Sequence, residues 1–181
     1  MELQRAVDVL GVSPARRDNW LDIEASITPT TTARKRTVTV GQFDLVLPDA
    51  VLGELVESLT VYPIPHTESF CLGLANLRGN LVTVYDLHRY LGEEAAAAES
   101  PARREWQFVL HTEPAWVCFA IDGLPDQSVL SDSQRLQQLP PLPEKLQQFV
   151  RSAYRVDGQL LLKTDFAEWF RHLAVEAVKP L

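Results

Sequence analysis

Only two cysteines and one methionine occur among the 181 residues. Cys71 and Cys118 lie 47 positions apart in apolar surroundings, without the close pairing of a zinc or redox motif, which argues against a disulfide framework or a thiolate metal site. No secretory pattern opens the chain, so a reducing, cytoplasmic setting is expected. The four histidines, His66, His88, His111 and His172, fall in four different predicted elements, none with a partner at ligand spacing, and no metal or cofactor is expected. Apolar runs are short. The Trp116 to Ile121 run is far below the roughly 20 residues a bilayer span needs, so no membrane insertion is expected.

Positive charge is also scarce. Lys and Arg number 17 against 24 Asp and Glu, a net charge of -7. Up to Thr37 there are 6 basic and 5 acidic residues, which leaves 11 basic and 19 acidic in the remainder, so the folded body would repel nucleic acid. Eight glycines provide neither a phosphate-cradling loop nor a nucleophile elbow. Ser131 and Ser133 beside Asp132 are read as local backbone caps, because Ser and Asp in a turn serve that role more often than catalysis. No nucleophile, base and anion-holding group converge, and an enzyme is not expected.

What the chain has is a succession of short strand patterns and turns, with 12 prolines between them. Leu3, Ala6, Val7 and Leu10 suggest a short N-terminal helix, and the polar, proline-broken run from Thr28 to Arg36 reads as a linker. Thr37 to Val40 and Phe43 to Leu47 alternate around Gly41-Gln42 as a hairpin, and Leu55, Val56 and Leu59 are expected to point inward. Asn80 to Tyr85 is β-branched, with Asp86 placed to cap a short helix, Leu87 to Leu91, that Gly92 ends. Glu93 to Glu105 reads as an exposed connection or a helical extension. Trp106 to His111 and Trp116 to Ile121 form a second predicted hairpin, followed by a turn and strand from Gly123 to Leu130. Asp157-Gly158 turns a third hairpin, from Phe149 to Val156 into Gln159 to Lys163. The stripe of Phe166, Trp169, Phe170 and Leu173 predicts a last amphipathic helix that closes the core. The class is mainly β, since the alternation of strands with long helices that parallel sheets require is missing.

One stretch is more specific than this pattern. Leu72-Gly-Leu-Ala-Asn-Leu-Arg-Gly-Asn-Leu-Val-Thr-Val-Tyr-Asp-Leu87, preceded by a proline loop at Tyr62 to Pro65, resembles the signature of the CheW family of chemotaxis adaptors. There, an apolar helical turn leads into an Asn-Leu-Arg-Gly corner, a strand ending in Asp-Leu and a short helix. The likeness extends more weakly from about Thr37 to Ala174, with Asp122-Gly123 where the family has an Asp-Gly or Asp-Glu pair. Leu72 to Asn76 and the segment Leu139 to Phe149 look like the PilI-type adaptors of type IV pilus twitching systems. Thr83 departs from the proline common in relatives, as does the N-terminal arm.

The resemblance implies two SH3-like five-stranded β-barrel subdomains with a few short helices, occupying residues 37–175 between an arm at 1–36 and a tail at 176–181. It implies a non-catalytic scaffold, without cofactor, at membrane-associated receptor arrays, whose partners are a chemoreceptor's cytoplasmic tip and the regulatory domain of a CheA-type histidine kinase. Gapless local alignment assigns Leu52, Glu54, Arg78 and Trp106 to the receptor groove, with Glu54 paired to Arg78, and Tyr62, Pro63 and Ile64 to the kinase side. Asn76 and Gly79 are read as turn residues. Two other functions fit the same residues: a regulatory CheW-like fragment or subunit of a kinase or phosphatase, and a barrel that binds peptides by strand addition.

Overall fold

The structure, a computed structural model, describes residues 32–92, 106–113 and 115–179, all within the compact unit Thr32–Leu181. The expected N-terminal helix and the connection at 93–105 lie outside the described residues. Among the described residues eleven strands form two sheets: β1 (Thr32–Val40), β2 (Phe43–Val46), β3 (Gly53–Val56), β4 (Val61–Tyr62), β5 (Cys71–Leu77), β6 (Asn80–Tyr85), β7 (Trp106–Leu110), β8 (Trp116–Ile121), β9 (Asp126–Ser131), β10 (Val150–Val156) and β11 (Gln159–Thr164). Short helices α1 (Leu87–Leu91) and α2 (Glu144–Gln147) and the longer α3 (Phe166–Glu176) pack at the joints.

The first sheet has five strands in the order β10-β11-β2-β1-β9. Val38, Val40, Phe43 and Leu45 alternate inward around the Gly41 turn and are buried, as the two-residue period demands. The first part of β1, Thr32 to Thr37, pairs with β9, and Thr37 also begins the pairing with β2. Residues 32–36 therefore belong to the sheet and not to a linker; their own side chains are polar, and only a partner remote in sequence supplies the pairing. At the β10–β11 turn Asp157 and Gly158 both have positive φ, 49° and 86°, the conformation a two-residue hairpin loop needs.

The second sheet runs β3-β7-β8-β6-β5-β4, with β4 a sixth strand of only two residues. The mainly β expectation holds and the two sheets are consistent with the two expected subdomains, although the second has six strands where five were expected. The segment Leu72–Leu77, expected as a helical turn, is instead part of β5, in which Cys71, Gly73, Ala75 and Leu77 face inward. Gly73 has φ 135°, and a Cβ there would lie 2.1 Å from the Tyr62 carbonyl oxygen, so close approach of β4 selects glycine and the strand with it. Each sheet also contains one parallel pair, β11 with β2 and β6 with β8.

The main core lies between the sheets and under α3. Phe119, Tyr85, Phe166, Trp169, Phe170 and Leu173 are buried there, with Tyr85 and Phe170 stacked at 6.1 Å. Burying each such side chain contributes about 1.5–3 kcal/mol. Asp165 caps α3 through its carboxylate, which accepts the Glu168 N–H at 3.0 Å, and Asp86 caps α1 in the same way from Arg89. A smaller core of Ala75, Leu77, Val82, Val84, Val109 and Cys118 fills the other face of the second sheet.

The sheets are also joined by a polar link. Asp122, just past β8, accepts through Oδ2 from the Gly41 N–H at 2.6 Å and from Nε2 of the buried His88 at 2.7 Å, while its own N–H reaches the Thr39 carbonyl. Nδ1 of His88 finds no hydrogen-bond partner among the described residues.

Candidate docking site

The β5–β6 connection is two residues long, and its geometry determines where Arg78 points. Arg78 and Gly79 both adopt positive φ, 53° and 87°, and Asn76 stabilises the corner by accepting the Gly79 N–H on its Oδ1 at 2.9 Å. A Cβ on Gly79 would meet nothing within 4 Å, so glycine is required there by backbone angle and not by space. Arg78 Nη1 lies 2.6 Å from Oε2 of Glu54 on β3. The Arg78 side chain is 73% exposed and that of Glu54 20%, so the arginine is paired to a mostly buried residue and turned to solvent.

Glu54 has a second partner. Its Oε1 is 3.3 Å from Nε2 of His111, whose ring stacks on Trp116 at 3.7 Å and 5°. His111 follows β7 and donates its own N–H to the Leu52 carbonyl at 2.9 Å, which continues the β3–β7 ladder by one residue. Trp116 opens β8 and packs on the smaller core, so the stacked His111 ring rests on a packed side chain. Neither His111 nor Trp116 is among the residues that alignment assigned. Placing His111 beside Glu54 requires the β3–β7 register, in which Glu54 stands opposite Val109 and thus shares a face with His111 two residues on.

The other assigned residues are distributed differently. Leu52 lies 74% exposed beside Glu54. Trp106 is not with them: on β7 it shares a face with Phe108 and Leu110, and it packs on the main core on the opposite side of the sheet from Glu54. Tyr62 is 66% exposed and Pro63 exposed, whereas Ile64 is half-buried; the loop is held by the Thr67 hydroxyl donating to the Ile64 carbonyl at 2.9 Å.

On the main-core side, an apolar cavity of about 140 Å³ separates the second sheet from α3, lined by Thr83, Tyr85, Val117, Phe170 and Ala174. Thr112 and Glu113, immediately after His111, form its rim. The β7–β8 corner thus borders both the charged cluster and the cavity. Burial pushes the Cys118 thiol up to about 12, which leaves it a packing group and not a nucleophile. Among the described residues no three His, Cys, Asp or Glu side chains are grouped to hold a metal, and no helix is long and apolar enough to cross a membrane.

Comparison with known proteins matches the CheW-like domain over residues 36–174. The chain belongs to the CheW-like domain family. This CheW-like chain is 27% identical over 100 residues to the chemotaxis protein CheW of Rhizobium meliloti (strain 1021), a stretch covering 55% of this chain and 62% of that protein. The matched stretch therefore spans less than two thirds of the relative's length. Its fold is similar to that of the scaffolding protein TtCheW from Thermoanaerobacter tengcongensis, with a TM-score of 0.60 at 14% identity over 77% of this chain and 93% of TtCheW.

Proposed function

We propose that this chain is a non-catalytic scaffold that couples the cytoplasmic tip of a chemoreceptor to the regulatory domain of a CheA-type histidine kinase. The observation that carries this reading is the Arg78 guanidinium, presented on a glycine corner and paired to Glu54. A planar, fixed fork suits recognition of a carboxylate or amide on a partner. The exposed Tyr62-Pro63 corner and Ile64 supply a separate face for the kinase. The protein would act in the cytoplasm at membrane-associated receptor arrays, and the likeness of Leu72 to Asn76 and Leu139 to Phe149 to PilI-type adaptors favours a type IV pilus twitching system. Its working domain is residues 37–175 together with the strand residues 32–36.

Co-sedimentation of the full chain with its receptor tip and kinase tests the proposal. Arg78→Glu sets two like charges together and should lower receptor capture by roughly 2–5 kcal/mol if the site is desolvated on binding, with an unchanged melting temperature. The double reversal Glu54→Arg with Arg78→Glu restores the internal pair in the wrong orientation and should still fail. Wild-type capture by the double mutant would refute the assignment of this site. Phosphotransfer from ATP to the isolated chain would refute a purely scaffolding role.

A further inference from the structure

An arginine paired to one carboxylate is not thereby fixed, because the carboxylate can rotate and take the guanidinium with it. Here both oxygens of Glu54 are engaged, Oε2 by Arg78 and Oε1 by His111. The imidazole is in turn held flat against Trp116, and Trp116 sits opposite Val82 in the parallel β6–β8 pair and packs on the smaller core. The order therefore runs outward from a packed ring to a stacked ring to a pinned carboxylate to an exposed cation. We propose that His111, stacked on Trp116, is a positioning residue that locks Glu54 and so pre-sets the Arg78 guanidinium for docking, which makes the β7–β8 corner part of the partner-recognition surface. This rests on the docking role of Arg78 given above. A cation fixed before the encounter loses less freedom on binding than one that must be ordered then, and this raises affinity without a new contact.

Two measurements on the full chain separate the parts of the idea. In the free protein, ¹⁵N relaxation of the Arg78 Nε–H group reports whether the side chain is ordered. His111→Phe keeps a ring for Trp116 to stack on but removes the donor to Glu54, and should mobilise that group; His111→Gln retains a donor and should restore much of the order. Binding to the immobilised receptor tip should fall about tenfold in His111→Phe, the size expected for one hydrogen bond to a charged group, and recover in His111→Gln. Trp116→Leu keeps apolar bulk but loses the stack and should behave like His111→Phe, with melting curves checking that each variant folds. Unchanged Arg78 relaxation in a folded His111→Phe protein overturns the positioning role whatever the binding result. Should Arg78→Ala bind the receptor tip as wild type does, the docking role of the site is what fails, and the relaxation data still decide whether His111 orders Arg78.

Discussion

The link through Asp122 offers a sharp test of how the two sheets are held in register. Asp122→Ala removes one carboxylate but orphans two donors, the Gly41 N–H and Nε2 of His88. His88 is 1% exposed and Asp122 7% on their side chains, so water cannot readily replace the lost partner. A buried polar group without a partner costs about 1–3 kcal/mol, and two give roughly 2–6 kcal/mol before relaxation. Against a total stability of about 5–15 kcal/mol for a domain of this kind, an expected loss of roughly 2–6 kcal/mol is a large fraction. Urea titration followed by tryptophan fluorescence should show the midpoint fall with the slope unchanged, because the same surface is exposed on unfolding. Replacing His88 by Leu in the same chain removes one of the orphaned groups and should recover part of the loss. A loss below about 1 kcal/mol for Asp122→Ala would mean that the link contributes little and that apolar packing alone holds the sheets.

Three further outcomes are expected. Gly73→Ala places a methyl against the Tyr62 carbonyl oxygen at a φ of 135°, and should destabilise the fold by more than about 2 kcal/mol, seen as a lowered melting temperature together with altered NMR shifts in the Tyr62 to Pro65 loop. Asp165→Ala should cost about 1 kcal/mol through loss of the α3 cap. The Asp165 carboxyl is held below its ordinary range by the Glu168 N–H, an effect that burial opposes and Arg151 and Arg171 assist. Its contribution is therefore complete above the usual aspartate value of about 3.9 and is lost as pH falls through the lower folded value; acid titration of Asp165→Ala against wild type should show the difference between them shrink only in that acidic window. Cys118, fully buried with a raised thiol pKa, should resist alkylation in the native protein and react only after unfolding; rapid native labelling would show that the smaller core opens.

The features legible in the sequence were those whose physics is contained in a few consecutive residues. Alternation marked Val38 to Leu47, Asp157-Gly158 marked its hairpin, Asp86 and Asp165 marked helix starts, and the stripe of Phe166, Trp169, Phe170 and Leu173 marked a buried helix face. The Asn76-Leu-Arg-Gly79 corner was read from its resemblance to a family signature, and the pairing of Arg78 to Glu54 only as what that resemblance implies; the structure brings the two groups to 2.6 Å. Relations that depend on which strand lies beside which were not legible. Thr32 to Arg36 looked like a linker because its partner, β9, lies about 90 residues away, and Leu72 to Leu77 looked helical because the contact that requires Gly73 comes from the Tyr62 backbone. Trp106 and Trp116 are alike in sequence terms, each opening a strand of one hairpin. Only the antiparallel β7–β8 register and the parallel β6–β8 pair turn the first toward the main core and set the second beneath His111, since a strand exposes its side chains to opposite faces and the face is chosen by what the rest of the chain packs against it.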